Sequence, residues 1–204
     1  MLLNNIYKII GIISLLLFLV GCGKKESKQV NYNDMRAVKN LAAQLIDKKI
    51  EFVTSGNFSS EEAKSIVAGT EVSGKNQWGI SFSLIEKIDD EFKVVYNTGL
   101  LEGSFDKCIV DKMKLSSFKG EMVYYNSRDF YLGTGGGDVF LYIINFSAKE
   151  IYYAHLIVQK SAGVSLYLSE NIEDPMIRKF FIRYFKKDYS TLRIIKSDKL
   201  WFQI

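Results

Sequence analysis

Histidine, cysteine and proline are nearly missing from this chain, and each shortage narrows what it can be. The 204 residues contain one histidine, two cysteines and one proline. A zinc site that wants several imidazole or thiolate ligands finds too few of them. No Gly-x-Ser-x-Gly turn occurs, so a hydrolase built on that strained nucleophile elbow has no seat here. His155 lies in Tyr152-Tyr153-Ala154-His155-Leu156-Ile157, where strand alternation sets it on one face with Ile151, Tyr153 and Ile157, as a histidine satisfied within or beside a sheet. No metal or cofactor is expected.

Strong charge of one sign is also lacking. The chain has 27 basic and 23 acidic residues, a net charge of +4, too mild to imply nucleic acid. Aromatic residues, by contrast, are plentiful, with 14 Phe and 12 Tyr; they fit a sheet-rich globular body and argue against disorder.

A long apolar run is missing as well. The stretch from Ile9 to Val20, which follows Lys8, is 12 residues long, whereas a bilayer span needs about 20. It has the length of an export signal. It ends in Leu19-Val20-Gly21-Cys22, which resembles the lipobox of bacterial lipoproteins. That resemblance implies that Cys22 receives a thioether-linked diacylglycerol and that cleavage follows Gly21. Two or three acyl chains hold a protein to a bilayer far more firmly than one, so membrane lipid is the first partner expected. Gly23 stands where an Asp is associated with retention in the inner membrane, so in a double-membraned host the outer membrane is the destination implied, and otherwise the cell membrane.

The organisation expected is therefore a signal peptide over residues 1–21, a lipidated Cys22 with a flexible tether to residue 30, and one globular domain over 31–204. Loss of the signal removes Lys8 and no acid, leaving 26 basic against 23 acidic residues, a net of +3. With Cys22 acylated, Cys108 stands alone and no internal disulfide can form, so the core must supply stability. Within Lys107-Cys108-Ile109-Val110 the thiol reads as a small buried hydrophobe.

From Asp34 to Val53 the apolar residues recur at helical spacing, which predicts a first helix started by Asn33 or Asp34. Ser59 and Glu62 resemble a capping box, predicting a short second helix over Glu61–Val67 before Gly69. The period then changes to strand-like runs: Trp78–Ile88, Glu91–Tyr96, Phe105–Met113, Glu121–Asn126, Asp138–Phe146, Glu150–Val158 and Val164–Leu168. Short gaps between them favour antiparallel hairpins. Asp138–Phe146 and Glu150–Val158 are apolar at adjacent as well as alternate positions and read as central strands covered on both faces. Asp174-Pro175 sets a helix start, cap then proline, for a helix running to about Lys187, with closing strands over Thr191–Lys196 and Leu200–Gln203. The class expected is α+β, an antiparallel sheet carrying an N-terminal helix and a C-terminal amphipathic helix.

Three local features carry functional readings. Gly133-Thr134-Gly135-Gly136-Gly137-Asp138 lacks the following helix and Lys-Ser/Thr of a phosphate loop; it reads as a hairpin tip, and Gly135 and Gly136 are candidates for a partner-binding loop. Asp89-Asp90-Glu91 has no calcium-loop spacing and reads as a solvated turn. The last helix sets Met176, Ile177, Phe180, Phe181, Tyr184 and Phe185 on its apolar half, with Arg178, Lys179, Arg183 and Lys186 opposite and Ile182 among them.

From Pro175 onward the basic residues are Arg178, Lys179, Arg183, Lys186, Lys187, Arg193, Lys196 and Lys199, against Asp188 and Asp198, a net of +6 that leaves −3 on the rest of the mature chain. Such segregation attracts an acidic protein or anionic headgroups. Three functions compete: a non-enzymatic protein-binding module of the cell envelope, of which immunity or inhibitor proteins are one kind; an envelope enzyme acting on lipid or peptidoglycan through carboxylates and tyrosines; and a structural or surface lipoprotein whose basic helix rests on the membrane. The first is the reading adopted.

Overall fold

An aspartate opens each of the two helices. In the computed structural model, which describes residues 30–74, 77–106, 108–127, 136–159 and 163–196, Asp34 caps α1 (Met35–Ile46) by accepting the N–H groups of Arg36 and Ala37 at 3.0 and 3.1 Å. The helix stops well short of Val53. Asp47 adopts a left-handed φ of 54° and returns its N–H to Ala43 at 3.0 Å, and the chain leaves to form β1 (Phe52–Gly56). Ile50 and Val53 mimicked helical spacing because they reach the cluster beneath α1 from outside the helix.

The short helix expected over Glu61–Val67 does not form. The Ser60 hydroxyl accepts the Ala63 N–H at 3.1 Å in a local turn, and Ser65–Ser73 is β2, paired on both sides by β1 and by β3 (Trp78–Ile88). Its Ile66 and Val67 suit a strand between two neighbours better than a helix end. The remaining runs fall within a few residues of expectation: β4 (Glu91–Asn97), β5 (Cys108–Met113), β6 (Met122–Ser127), β7 (Gly136–Asn145), β8 (Glu150–Gln159), β9 (Gly163–Leu168), α2 (Pro175–Lys186) and β10 (Arg193–Lys196). Leu200–Gln203 lies outside the described residues. Asp89 and Asp90, with φ of 50° and 63°, make the two-residue hairpin between β3 and β4 that matches strand twist, and Asp90 pairs with Lys87 at 2.7 Å.

The class is α+β, as the patterning predicts, but the strands divide into two sheets. One runs β1-β2-β3-β4, all antiparallel; the other runs β10-β9-β8-β7-β6-β5, antiparallel except for the parallel β9–β10 pair. Alternation along each strand decides what covers it. Val67 and Phe82 of the first sheet and Tyr125, Tyr142 and Ile144 of the second share one central cluster, so the sheets face each other. Rings fill that layer: Tyr125 stacks on Tyr142 at 5.3 Å, and Phe58 meets Phe146 edge-on at 5.9 Å.

The opposite parity points outward. Ile66, Ala68 and Ile85 lie under α1, while Leu141, Ile143, Ala154 and Leu156 lie under α2. The order through the molecule is α1, first sheet, second sheet, α2. β7 and β8, at the middle of the second sheet, are buried on both faces. Glu121 ties the two sheets at one end, accepting the Asn57 N–H at 2.8 Å and pairing with Lys112 at 3.5 Å. Gly103, at φ +133°, lets the Tyr125 hydroxyl reach the carbonyl of Glu102 where a Cβ would collide with it.

Candidate functional site

α2 is held firmly enough to present a shaped surface. Asp174 accepts the N–H groups of Met176 and Ile177 at 2.6 and 3.3 Å, and Pro175, at the first helical position, has no N–H to leave unpaired. Ile177, Phe181 and Phe185 recur at four-residue spacing and are fully covered by the second sheet. One flank is pinned further. Phe180 packs on Tyr124 at 5.8 Å, and the Tyr184 hydroxyl lies 2.6 Å from the Asn126 amide of β6.

That flank borders a trough of about 360 Å3 lined by Met176, Phe180 and Tyr184, by Leu115 from the β5–β6 connection, and by Lys179, Arg183 and Lys187. The helix sets these in two adjacent stripes. Met176, Phe180 and Tyr184 recur every four residues, and so do Lys179, Arg183 and Lys187, so each stripe runs about 12 Å along the axis. The arrangement is an apolar floor with a cationic border. It can receive an apolar group carried next to negative charge, for which burial and charge attraction act together. Among the described residues no carboxylate ion-pairs with Arg178, Lys179, Arg183, Lys186 or Lys187.

Of the residues singled out in the sequence, Lys179 and Arg183 line the trough. Arg178 and Lys186 are exposed on the rest of the outer face, and Ile182 packs from the other flank against the buried cluster. Lys187, Met176, Phe180, Tyr184 and Leu115 were not among the candidate site residues. The first four share a visible spacing, whereas Leu115 is about sixty positions from its neighbours in the trough and left no local signal. Cys22 and Gly135 lie outside the described residues. Gly136 opens β7 opposite Gln159, with a φ of +137° and the Val158 carbonyl only 2.0 Å from where a Cβ would stand, so the ladder itself requires glycine there.

The other chemistry-bearing groups are dispersed. His155 stacks on Phe140 with ring centres 4.0 Å apart, and its Nε2 is 2.9 Å from a carboxylate oxygen of Asp138, its diagonal neighbour on β7. Two carboxylates do converge, Glu71 and Asp106, both accepting from the Ser104 hydroxyl, while Glu71 also accepts the Phe105 N–H at 2.9 Å. Those bonds shape the loop before β5. Burial, with Glu71 and Asp106 nearby, pushes the Cys108 thiol up to about 12, far from the reactive range. Among the described residues no three of His, Cys, Asp and Glu come together as a metal site would need.

Comparison with protein-family models, with curated proteins and with solved structures finds no match to this chain.

Proposed function

We propose that this chain is the precursor of a bacterial lipoprotein, acylated at Cys22, whose α+β body works without catalysis by binding a protein partner at the cell envelope. The observation that carries the binding part is the cation-bordered apolar trough on α2. Five cations on and just beyond one helix, none paired with an acid among the described residues, attract a negatively charged partner over distance, and the apolar floor gives it something to bury. The anchor part rests on Leu19-Val20-Gly21-Cys22 after a 12-residue apolar stretch. Immunity and inhibitor proteins of the envelope are one kind of lipoprotein that acts by such docking, and with Gly23 after the acylated cysteine the outer membrane is the site in a double-membraned host.

The test is chemical cross-linking in intact cells, followed by recovery of the protein from the membrane fraction. One protein partner should be enriched with the natural chain and lost when Lys179 and Arg183 are both replaced by Glu. Recovery of the same background with both forms would count against a binding role. Cys22→Ser should release the product from the membrane and leave its signal uncleaved.

A further inference from the structure

Val30, where the described chain begins, and the cationic face lie on opposite sides of the sheet stack. The described chain enters on the α1 side: Val30 and Tyr32 pack with the cluster under α1, the Tyr32 ring meets Phe92 at 6.3 Å, and the Tyr32 carbonyl accepts the Ser55 hydroxyl at 2.8 Å. The trough is on the far side of the second sheet. Two sheets about 10 Å apart, with a helix about 10–12 Å thick on each outer face, make a stack roughly 35–40 Å deep.

Eight residue steps separate Cys22 from Val30, and at no more than about 3.5 Å each they reach about 28 Å when fully drawn out. A flexible chain of that length averages nearer 16 Å. If the outer face of α2 lay flat on the bilayer that holds Cys22, Val30, which packs beneath α1, would stand roughly 25–30 Å above it by the same layer spacings, at the limit of the tether drawn straight and well beyond its average reach. A pose with α2 on the anchoring membrane would stretch the tether to its full length and cost nearly all of its freedom, which favours α2 facing sideways or away.

Resting on the reading of Cys22 as the anchor, we infer that the α2 trough is the docking site for an acidic segment of a partner protein and not for headgroups of the anchoring membrane. One or two apolar side chains of that segment fill the floor made by Leu115, Met176, Phe180 and Tyr184, and flanking Asp or Glu side chains meet Lys179, Arg183 and Lys187. The charge of the border selects an acidic occupant, and the depth of the stack disfavours the nearest membrane as the competitor.

The test uses the full acylated chain in vesicles of phosphatidylcholine mixed with phosphatidylglycerol. A Lys186→Cys variant carries a fluorophore on the outer face of α2, and an Arg36→Cys variant carries one on α1. A quencher attached to lipid headgroups should leave the probe at position 186 bright and dim the one at position 36, while a water-borne quencher should reach position 186 freely. A synthetic peptide of alternating Leu and Glu should bind the same vesicles through the protein, weaken at least about tenfold with the Lys179→Glu, Arg183→Glu pair, and be unaffected by Arg36→Glu.

Quenching of position 186 by the lipid-borne reagent, or peptide binding that ignores the charge reversal, would overturn the inference. The mass of the amino-terminal peptide decides the anchor separately. An unacylated Cys22 refutes the lipoprotein reading whatever the peptide does, whereas an acylated chain that is quenched at position 186 refutes only the docking assignment.

Discussion

α1 and α2 are each 12 residues long, each starts on an aspartate cap, and each closes one outer face of the sheet stack. They differ in what they bury and in what they show. α1 places only Val38 and Ala42 in full cover and leaves Arg36, Lys39, Asn40 and Gln44 outside, a mixed and weakly charged surface. α2 buries Ile177, Phe181 and Phe185 and leaves four cations, Arg178, Lys179, Arg183 and Lys186, on its outer face against two on α1, and neither helix carries an acid. A helix fastened by small side chains is a lid; one fastened by aromatic rings is a fixed platform. The larger burial on α2 offsets the mutual repulsion of its cations, and that allows the charge to be concentrated there.

The largest expected effect tests the unequal fastening. Phe181→Ala should destabilise the protein by about 3–5 kcal/mol, because it removes a fully buried ring and leaves a cavity. Val38→Ala, which removes two buried methyl groups, should cost about 2 kcal/mol. Urea midpoints of the two variants compare them directly, and equal losses would break the contrast between lid and platform.

The caps come next and should show no contrast. Asp34→Ala and Asp174→Ala each leave two helix N–H groups without their acceptor, and each should cost about 1 kcal/mol. A much larger loss at Asp174 would mean that α2 owes its place to its start and not to its buried face.

The central layer, which neither helix touches, gives an effect that appears only at moderately alkaline pH. The Cys108 thiol is held at about 12 by burial and by Glu71 and Asp106, while in the unfolded chain it ionises near about 8.5. Between those values the unfolded chain binds fewer protons than the folded one, so stability falls as pH rises. Burial also raises Tyr125 and Tyr142, and they extend the loss to higher pH. Urea midpoints should drop from pH 8 to pH 10, less steeply in Cys108→Ala.

The smallest effect is at the surface. Arg183→Glu and Arg36→Glu should each change stability by less than about 0.5 kcal/mol, as exposed substitutions do. A thermal melt checks this. A marked rise in stability for Arg183→Glu would show that crowded cations on α2 strain the fold.

Much of the fold could be read from residue order. Asp174-Pro175 marks the start of α2, the aspartate pair at 89–90 marks a turn, and the doubly apolar runs of β7 and β8 mark the middle of a sheet. These signals are local, set by backbone dihedrals, capping groups and side-chain alternation. The end of α1 was misplaced because Ile50 and Val53 join the same buried cluster from a turn and a strand, and helical spacing records that they are buried without recording how. Ser59 and Glu62 failed as a helix start because two neighbouring strands claimed Ser65–Ser73. The candidate site was half legible. Lys179 and Arg183 follow from charge spacing, but Leu115 enters only when the β5–β6 connection packs beside α2.

By itself the chain's order of residues determined the alternation of its strands, the starting points of both helices, the concentration of cations near its end and the Leu-Val-Gly-Cys motif near its beginning. Each of these is a property of neighbouring residues. Only the tertiary structure decided which strands share a sheet, that the two sheets face each other through aromatic rings, and that Val30, where the described chain begins, lies on the side away from the cationic trough. Those follow from contacts between residues far apart in sequence, where the burial of one face selects its partner among several that the local pattern would equally allow.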